Sequence, residues 1–342
     1  MSLSDRQQSV LEAVVANYIA NGEPVSSKLI CNILDIGFSS ATIRNELLEL
    51  CELGFLMQPH TSAGRIPTEE GYRFYVDRLL KRRSIADSVR LVIDTALEDI
   101  TRYPENVCES AGKLLSEIIG LPVVSGSVED KGSTLKKIEI IRLGRCTVLV
   151  AVVTGGSTVG TRICHVGCEV EDEALDMLND LLEKEIIGMR VCDISARDLQ
   201  DISAKIGFYS SAAAPILRTV YELANELCSS SLYINGEAKL LPYGISAVQQ
   251  LIDGLSDRRS VMTLLESMKM PIGVIFGGDT YIRGLEPFGM VVANFQMGDK
   301  RRGRLCVIGP RRMNYDSVVP AIEYFAARLD SIMKNVFRDL EE

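Results

Sequence analysis

The sequence predicts an α+β fold that begins with a winged helix-turn-helix. Three observations carry this reading. Apolar residues recur at helical spacing three times before residue 54. A small polar loop, His60-Thr61-Ser62-Ala63-Gly64-Arg65, then separates two short strand-like runs. Beyond residue 137, β-branched runs appear in two stretches, divided by a helix-rich block of about a hundred residues. With 342 residues the chain exceeds one ordinary core, so two or three domains are expected.

The first helix runs from Asp5 to Ala20. Val10, Leu11, Val14, Val15, Tyr18 and Ile19 recur as adjacent pairs every four residues, and Asn21-Gly22 ends it. Ser26 caps a second helix with Leu29, Ile30, Ile33 and Leu34 on its apolar side, and Gly37 permits the reversal in Asp35-Ile36-Gly37-Phe38. The third helix spans Ser39 to Leu53, capped by Ser39 or Ser40. Ile43, Leu47 and Leu50 turn inward, which leaves Ala41, Arg44 and Asn45 outward, where a helix entering a major groove meets base edges. Gly54 supplies a left-handed stop.

Phe55-Leu56-Met57 forms a strand and leads to the polar loop. Gly64 is expected at positive φ, and the small side chains let the backbone approach phosphates. Arg65 can reach a phosphate or a narrow minor groove. Thr68 caps a helix whose aromatic-dense part, Gly71 to Lys81, reads as a core or dimer helix. Three amphipathic helices alone fit a plain helical subdomain equally well. The loop behind them favours duplex DNA. The candidate DNA contacts are Ser40, Ala41, Thr42, Arg44, Asn45, His60, Thr61, Ser62, Gly64, Arg65 and Arg73.

Lys81-Arg82-Arg83-Ser84 reads as a solvated hinge. Helices follow at 84–102 and 104–120, then a hairpin of 138–143 and 147–153 about Gly144-Arg145, and a strand at 161–166. Gly155-Gly156-Ser157-Thr158-Val159-Gly160 lacks the Gly-Lys-Ser/Thr ending of a phosphate loop and reads as a turn. Helices are expected at 171–188, 196–206 and 215–229. Leu232 to Leu241 reads as a hairpin about Asn235-Gly236, and a helical pair fills 243–269. Strands return at 272–276, 290–296 and 304–308 before a final helix at 317–340. One sheet domain interrupted by an inserted module fits this order. Gly277-Gly278-Asp279 and Gly309-Pro310-Arg311-Arg312-Met313 are possible ligand-facing loops. Lys300-Arg301-Arg302 with Arg304 suggests a hairpin of exposed charge.

The net charge is −9, and the first 83 residues hold nine cations against ten acids. With no broad basic face, DNA affinity would rest on a few placed arginines and two-fold repetition of the site. Two histidines, no paired carboxylate motif and no phosphate loop leave little to run catalysis, so no catalytic residue and no cofactor are assigned. Cys164-His165 and Cys168 lack a second ligand pair at standard spacing, so no metal is assigned either. Nine scattered cysteines, no signal peptide and no run of about 18 apolar residues predict a soluble cytoplasmic protein without a membrane partner.

The chain resembles the HrcA family of heat-inducible transcription repressors over essentially its whole length. Gln58-Pro59-His60-Thr61-Ser62-Ala63-Gly64-Arg65-Ile66-Pro67-Thr68 with Gly71-Tyr72-Arg73-Phe74-Tyr75-Val76-Asp77 is the most specific part of the likeness. Ser40-Ala41-Thr42-Ile43-Arg44-Asn45 and Gly309-Pro310-Arg311-Arg312-Met313-Asn314-Tyr315 add to it. Ser26-Ser27-Lys28 and Phe276-Gly277-Gly278-Asp279 depart from the family pattern.

The resemblance implies a winged-helix domain at 1–83, a GAF-like antiparallel sheet domain at 84–170 and 270–342, and an inserted dimerising module at 171–269. It further implies a homodimer that binds an inverted-repeat operator, the CIRCE element, and represses chaperone operons. A GroEL-type chaperonin would maintain its activity, which lapses under heat stress. An alternative is a ligand-sensing regulator whose GAF-like domain binds a small metabolite.

Overall fold

The structure is a computed structural model and describes residues 3–34, 39–60, 63–80, 85–100, 106–127, 132–155, 159–297 and 301–339. Helix α1 (Asp5–Asn21) starts in a capping box between Ser4 and Gln7 and ends at Gly22, with φ 71°. Its expected apolar pairs, Val10-Leu11 and Val14-Val15, are fully buried. Helices α2 (Ser27–Leu34) and α3 (Ser40–Glu52) pack on it, followed by a two-stranded antiparallel ladder of β1 (Leu56–Met57) and β2 (Ile66–Pro67). The turn at Asp35 to Phe38 and the hinge at Lys81 to Ser84 lie outside the described residues.

The aromatic helix predicted over 71–81 is two pieces, α4 (Glu69–Phe74) and a π-helical turn, Tyr75–Leu79. Helices α5 (Asp87–Ile100) and α6 (Val107–Ile119) lead to β3 (Val123–Ser127). A separate three-stranded antiparallel sheet follows, of β4 (Leu135–Gly144), β5 (Thr147–Thr154) and β6 (Val159–His165). Helices α7 (Asp172–Glu185), α8 (Ala196–Lys205) and α9 (Ser210–Cys228) come next. Helix α9 starts five residues before the expected Pro215, because Ala212 and Ala213 are buried and packing extends the helix past its proline.

After β7 (Ser231–Asn235), the predicted Asn235-Gly236 hairpin does not form. Gly236 instead feeds a 3-10 helix, Glu237–Tyr243, that buries Leu240, and β7 pairs with β3. Helices α10 (Ile245–Ser256) and α11 (Arg258–Ser267) precede β8 (Ile272–Phe276), β9 (Phe288–Met297) and β10 (Arg301–Pro310), and α12 (Tyr315–Asp339) follows. Five antiparallel strands lie in the order β7-β3-β10-β9-β8, with α12 packed against β9 and α6 against β3.

Two apolar cores result. One joins the N-terminal helices to the five-stranded sheet and also takes in Leu232, Leu251, Leu255, Val261 and Leu265. The other runs from Leu135 to Cys228: Val148, Val150 and Val152 of β5 face Leu178, Leu182, Ile216 and Val220 of the helices. The expected divisions after residues 170 and 269 therefore do not follow the cores. Every second residue of β5 is buried, so one face of this sheet needs a cover, and α7 and α9 provide it.

Arg304, expected in an exposed hairpin, is buried and donates to the Met268 carbonyl at 2.5 Å and to the Leu265 carbonyl. It closes the C-terminal end of α11, and burial lowers its pKa. Arg302 is exposed, and Lys300 lies outside the described residues.

Candidate nucleic-acid interface

Ser39 sits in extended backbone before α3, and its Oγ accepts from the Thr42 amide at 3.1 Å. That hydrogen bond fixes where the helix begins. Ile43, Leu47 and Leu50 are buried, so helical rotation leaves Ser40, Ala41, Arg44, Asn45 and Leu48 exposed as one stripe. Among the described residues, neither Arg44 nor Asn45 has a side-chain partner. Thr42 is half-buried, its hydroxyl 2.9 Å from Ser39 Oγ.

Two polar ties hold α3 to α1. Glu46 is 3% exposed and ion-pairs with Arg6, while Gln7 Nε2 donates to Glu49 at 2.9 Å. Helical spacing places Glu46 beside the inward residues, but only the packed arrangement identifies Arg6 as its partner.

The loop between β1 and β2 is tied to itself and to the entry of α2. The Ala63 amide donates to the His60 carbonyl at 2.9 Å, and Gln58 Nε2 to the Ala63 carbonyl at 3.0 Å. His60 is exposed, whereas Thr61 and Ser62 lie outside the described residues. Val25 and Arg65 exchange both backbone hydrogen bonds, at 2.9 and 2.8 Å. This bridge sets the start of α2, whose second residue is the exposed Lys28, beside the loop. Lys28 is not among the contacts predicted from the sequence.

The role expected of Gly64 changes. Its φ is not positive; instead, a Cβ there would stand 2.4 Å from the Val25 carbonyl oxygen and 2.8 Å from the Pro24 carbonyl carbon. Close backbone approach, not a left-handed turn, requires glycine. Arg65 is half-buried and its Nε has no partner among the described residues.

Arg73 is directed elsewhere. Its Nη2 lies 2.6 Å from Asp279 Oδ2 and its guanidinium 5.3 Å from the Phe276 ring centroid, with Glu69 and Glu70 beside it. The predicted DNA contact is thus the anchor of α4 on the sheet. Around it, Tyr72, Phe276 and Tyr315 form a tilted aromatic cluster, Arg311 pairs with Glu69 at 3.2 Å, and the Tyr75 hydroxyl donates to Asp316 at 2.6 Å. Burial pushes the Tyr72 and Tyr315 phenols well above their ordinary pKa. The two loops read as ligand-facing, Gly277 to Asp279 and Gly309 to Met313, thus carry Asp279 and Arg311 into the contact that docks the N-terminal helices. The sequence could not show that the partner of Arg73 is Asp279, 206 positions away.

Elsewhere, His165 Nδ1 lies 3.4 Å from Thr147 Oγ1. No group of three potential metal ligands occurs among the described residues, and no helix among them is long and apolar enough to cross a membrane.

Residues 105–319 match a family model described as HrcA protein C terminal domain. The heat-inducible transcription repressor HrcA of Symbiobacterium thermophilum is 30% identical over 336 residues, covering 96% of this chain and 98% of the relative. The protein of the same name from Acetivibrio thermocellus is 27% identical over 354 residues, covering 99% of each. A crystal structure described as that of a hypothetical protein superposes with a TM-score of 0.68 at 25% identity, covering 98% of this chain and all of that one.

Proposed function

The chain belongs to the HrcA family of heat-inducible transcription repressors, and from that premise we propose that it represses chaperone operons as a homodimer on an inverted-repeat CIRCE operator. The family is one of transcription repressors and not an enzyme class. The observation that carries the reading is the outward stripe of α3, with Arg44 and Asn45 without side-chain partners among the described residues, together with a loop pinned at Val25 and Arg65. In this reading, residues 1–83 form the winged-helix domain. Ser40, Ala41, Thr42, Arg44 and Asn45 meet base edges, while His60, Gly64 and Arg65, with Thr61 and Ser62, lie along the phosphate backbone. The net charge of −9 weakens non-specific attraction, so specificity rests on placed contacts doubled by symmetry.

A second copy of the chain is the proposed cover for the outer face of the three-stranded sheet. In register there, Ile141 lies opposite Leu149 and Leu149 opposite Ile163, with Val159 opposite Val153. Ile141, Ile163 and Val159 are exposed, and exposed apolar residues grouped on one sheet face, here with the Lys137–Glu139 ion pair between them, favour association. The proposed division makes residues 135–228 the inserted dimerising module and the five-stranded sheet with its helices the GAF-like domain. A GroEL-type chaperonin maintains the active form, because a repressor whose folding depends on association is sensitive to a chaperone's availability.

Fluorescence anisotropy tests the proposal, using the full chain on a CIRCE inverted-repeat duplex and on a scrambled one, with and without a GroEL-type chaperonin at two salt concentrations. The operator is expected to bind at least about a thousandfold tighter than the scrambled duplex, with a larger active fraction when chaperonin is present. Equal affinity for the two duplexes refutes the operator reading, and an unchanged active fraction refutes the chaperonin step.

A further inference from the structure

An open cavity of about 560 Å3 lies between α1, the C-terminal end of α6 and the N-terminal end of α12. Ala16 and Ile19 of α1 line it on one side, and Leu121, Tyr243, Arg312 and Val318 on the other. Its volume is that of a small-molecule site, and such sites favour junctions between packed units.

Arg312 gives the cavity its chemistry. Its guanidinium lies 5.6 Å from the Tyr243 ring centroid, which leaves the N–H edges of the fork for another partner. Among the described residues no carboxylate pairs with it, whereas the adjacent Arg311 is engaged by Glu69 and by the Glu286 carbonyl at 3.0 Å. The acid that also lines the cavity, Asp316, accepts from the Tyr75 hydroxyl. Arg312 also lies against the end of α1: a Cβ on Gly22 would stand 2.9 Å from its Nη1, and Gly22 holds the left-handed cap of that helix. One partly buried cation, with no carboxylate partner among the described residues, therefore faces a cleft of mixed lining, with Ile19, Leu121 and Val318 as its apolar part and Asn314, Asp316 and Ser317 as its polar part.

We propose that this crevice binds a small organic monocarboxylate with an apolar body. The carboxylate takes the planar fork of Arg312 in bidentate geometry. Ile19, Leu121 and Val318 take the body, at about the size of one ring or a short branched chain. A single cation with Asp316 close by selects one negative charge over two or three. The bound acid touches α1 and the start of α12 together, so it joins the helix that carries α3, through Arg6 and Glu46, to the rest of the molecule.

Calorimetry and thermal unfolding of the full chain test binding without DNA, so the outcome is independent of the operator reading. The probes are benzoate and isovalerate, with benzyl alcohol as a neutral counterpart and citrate as a polyanion. At least one monocarboxylate is expected to bind and raise the midpoint by a few degrees at saturation, while benzyl alcohol and citrate do not. Arg312→Gln, and separately Ala16→Trp, which narrows the mouth and leaves the arginine in place, are each expected to weaken binding at least about tenfold. If Arg312→Gln does not fold by circular dichroism, Ala16→Trp decides alone. The proposal is overturned if neither acid binds, if benzyl alcohol or citrate matches them, or if binding survives in either folded variant.

Discussion

Replacing Gly64 with alanine tests how the loop beside α3 is held. The new Cβ would meet the Val25 carbonyl oxygen at 2.4 Å and its carbonyl carbon at 2.5 Å. Carbon atoms in ordinary contact stand about 3.5 Å apart or more, so the strand must move by about 1 Å. Backbone on both sides leaves no flexible side chain to give way. The two hydrogen bonds of the Val25–Arg65 bridge, now 2.9 and 2.8 Å, would then lie outside bonding range. Each contributes about 0.5–1.5 kcal/mol net, so about 2 kcal/mol of loop docking is at stake, equivalent to roughly a 30-fold change. Helices α1 to α3 keep their own core and stay folded. Amide exchange at Val25 and Arg65 is therefore expected to accelerate by about that factor, with operator affinity falling in parallel. Unchanged exchange at both amides would refute the claim that close approach is why glycine stands there.

Four further outcomes follow from the same geometry. Arg44→Ala is expected to weaken operator binding by about 1–3 kcal/mol with little effect on scrambled duplex, whereas Arg65→Ala weakens both; anisotropy titrations on the two duplexes separate them, and equal losses for Arg44→Ala remove it from base reading. Ile163→Asp removes, from each copy, burial worth about 1.5–3 kcal/mol, and is expected to raise the dimer dissociation constant at least about a hundredfold in sedimentation; an unchanged constant moves the interface elsewhere. A double-mutant cycle of Arg73→Ala with Asp279→Asn in urea should give a coupling of about 0.5–1 kcal/mol, small because Asp279 is 43% exposed. The salt dependence of DNA binding should not change in Arg73→Ala, and a slope lower by about one would return Arg73 to the phosphates.

The fourth concerns pH. Burial raises the Tyr72 and Tyr315 phenols and pushes the Cys306 thiol up to about 12. These groups stay neutral in the fold while the unfolded chain can release their protons. Their stability is therefore complete below the unfolded pKa and is lost as pH rises toward the folded one, at up to about 1.4 kcal/mol per pH unit and group. Urea midpoints should be flat from about pH 7 to 8 and fall between about 9 and 11, with Cys306→Ala flattening the first part of the fall. Equal midpoints at pH 8 and 10.5 contradict this.

Much of the fold was legible because local signals and packing agree. Paired apolar residues along α1, the Ser39 cap and the Gly54 stop depend on neighbours within a few positions, and α3 forms where its period places it. The outward placement of Arg44 and Asn45 follows from the same period. The Asn235-Gly236 signal failed for the converse reason. A turn dipeptide promotes a hairpin, but the following segment gains more by burying Leu240 and seating Lys239 on the Ser116 carbonyl, while β7 takes β3 as its partner. Strand spacing likewise could not say that β4 to β6 form their own sheet, since the alternation of β5 is the same whichever helices cover it.

The sequence by itself determined the family, the α+β content and the residues that α3 turns outward, because each is carried by short-range periodicity or by a long matched run. Tertiary structure decided that Gly64 is a point of backbone contact, that Arg73 and Arg311 dock the N-terminal helices, and that Arg304 caps α11. Those assignments depend on partners brought close only when the chain packs, and the energy of a charged or crowded group is fixed by what surrounds it, not by its neighbours in sequence.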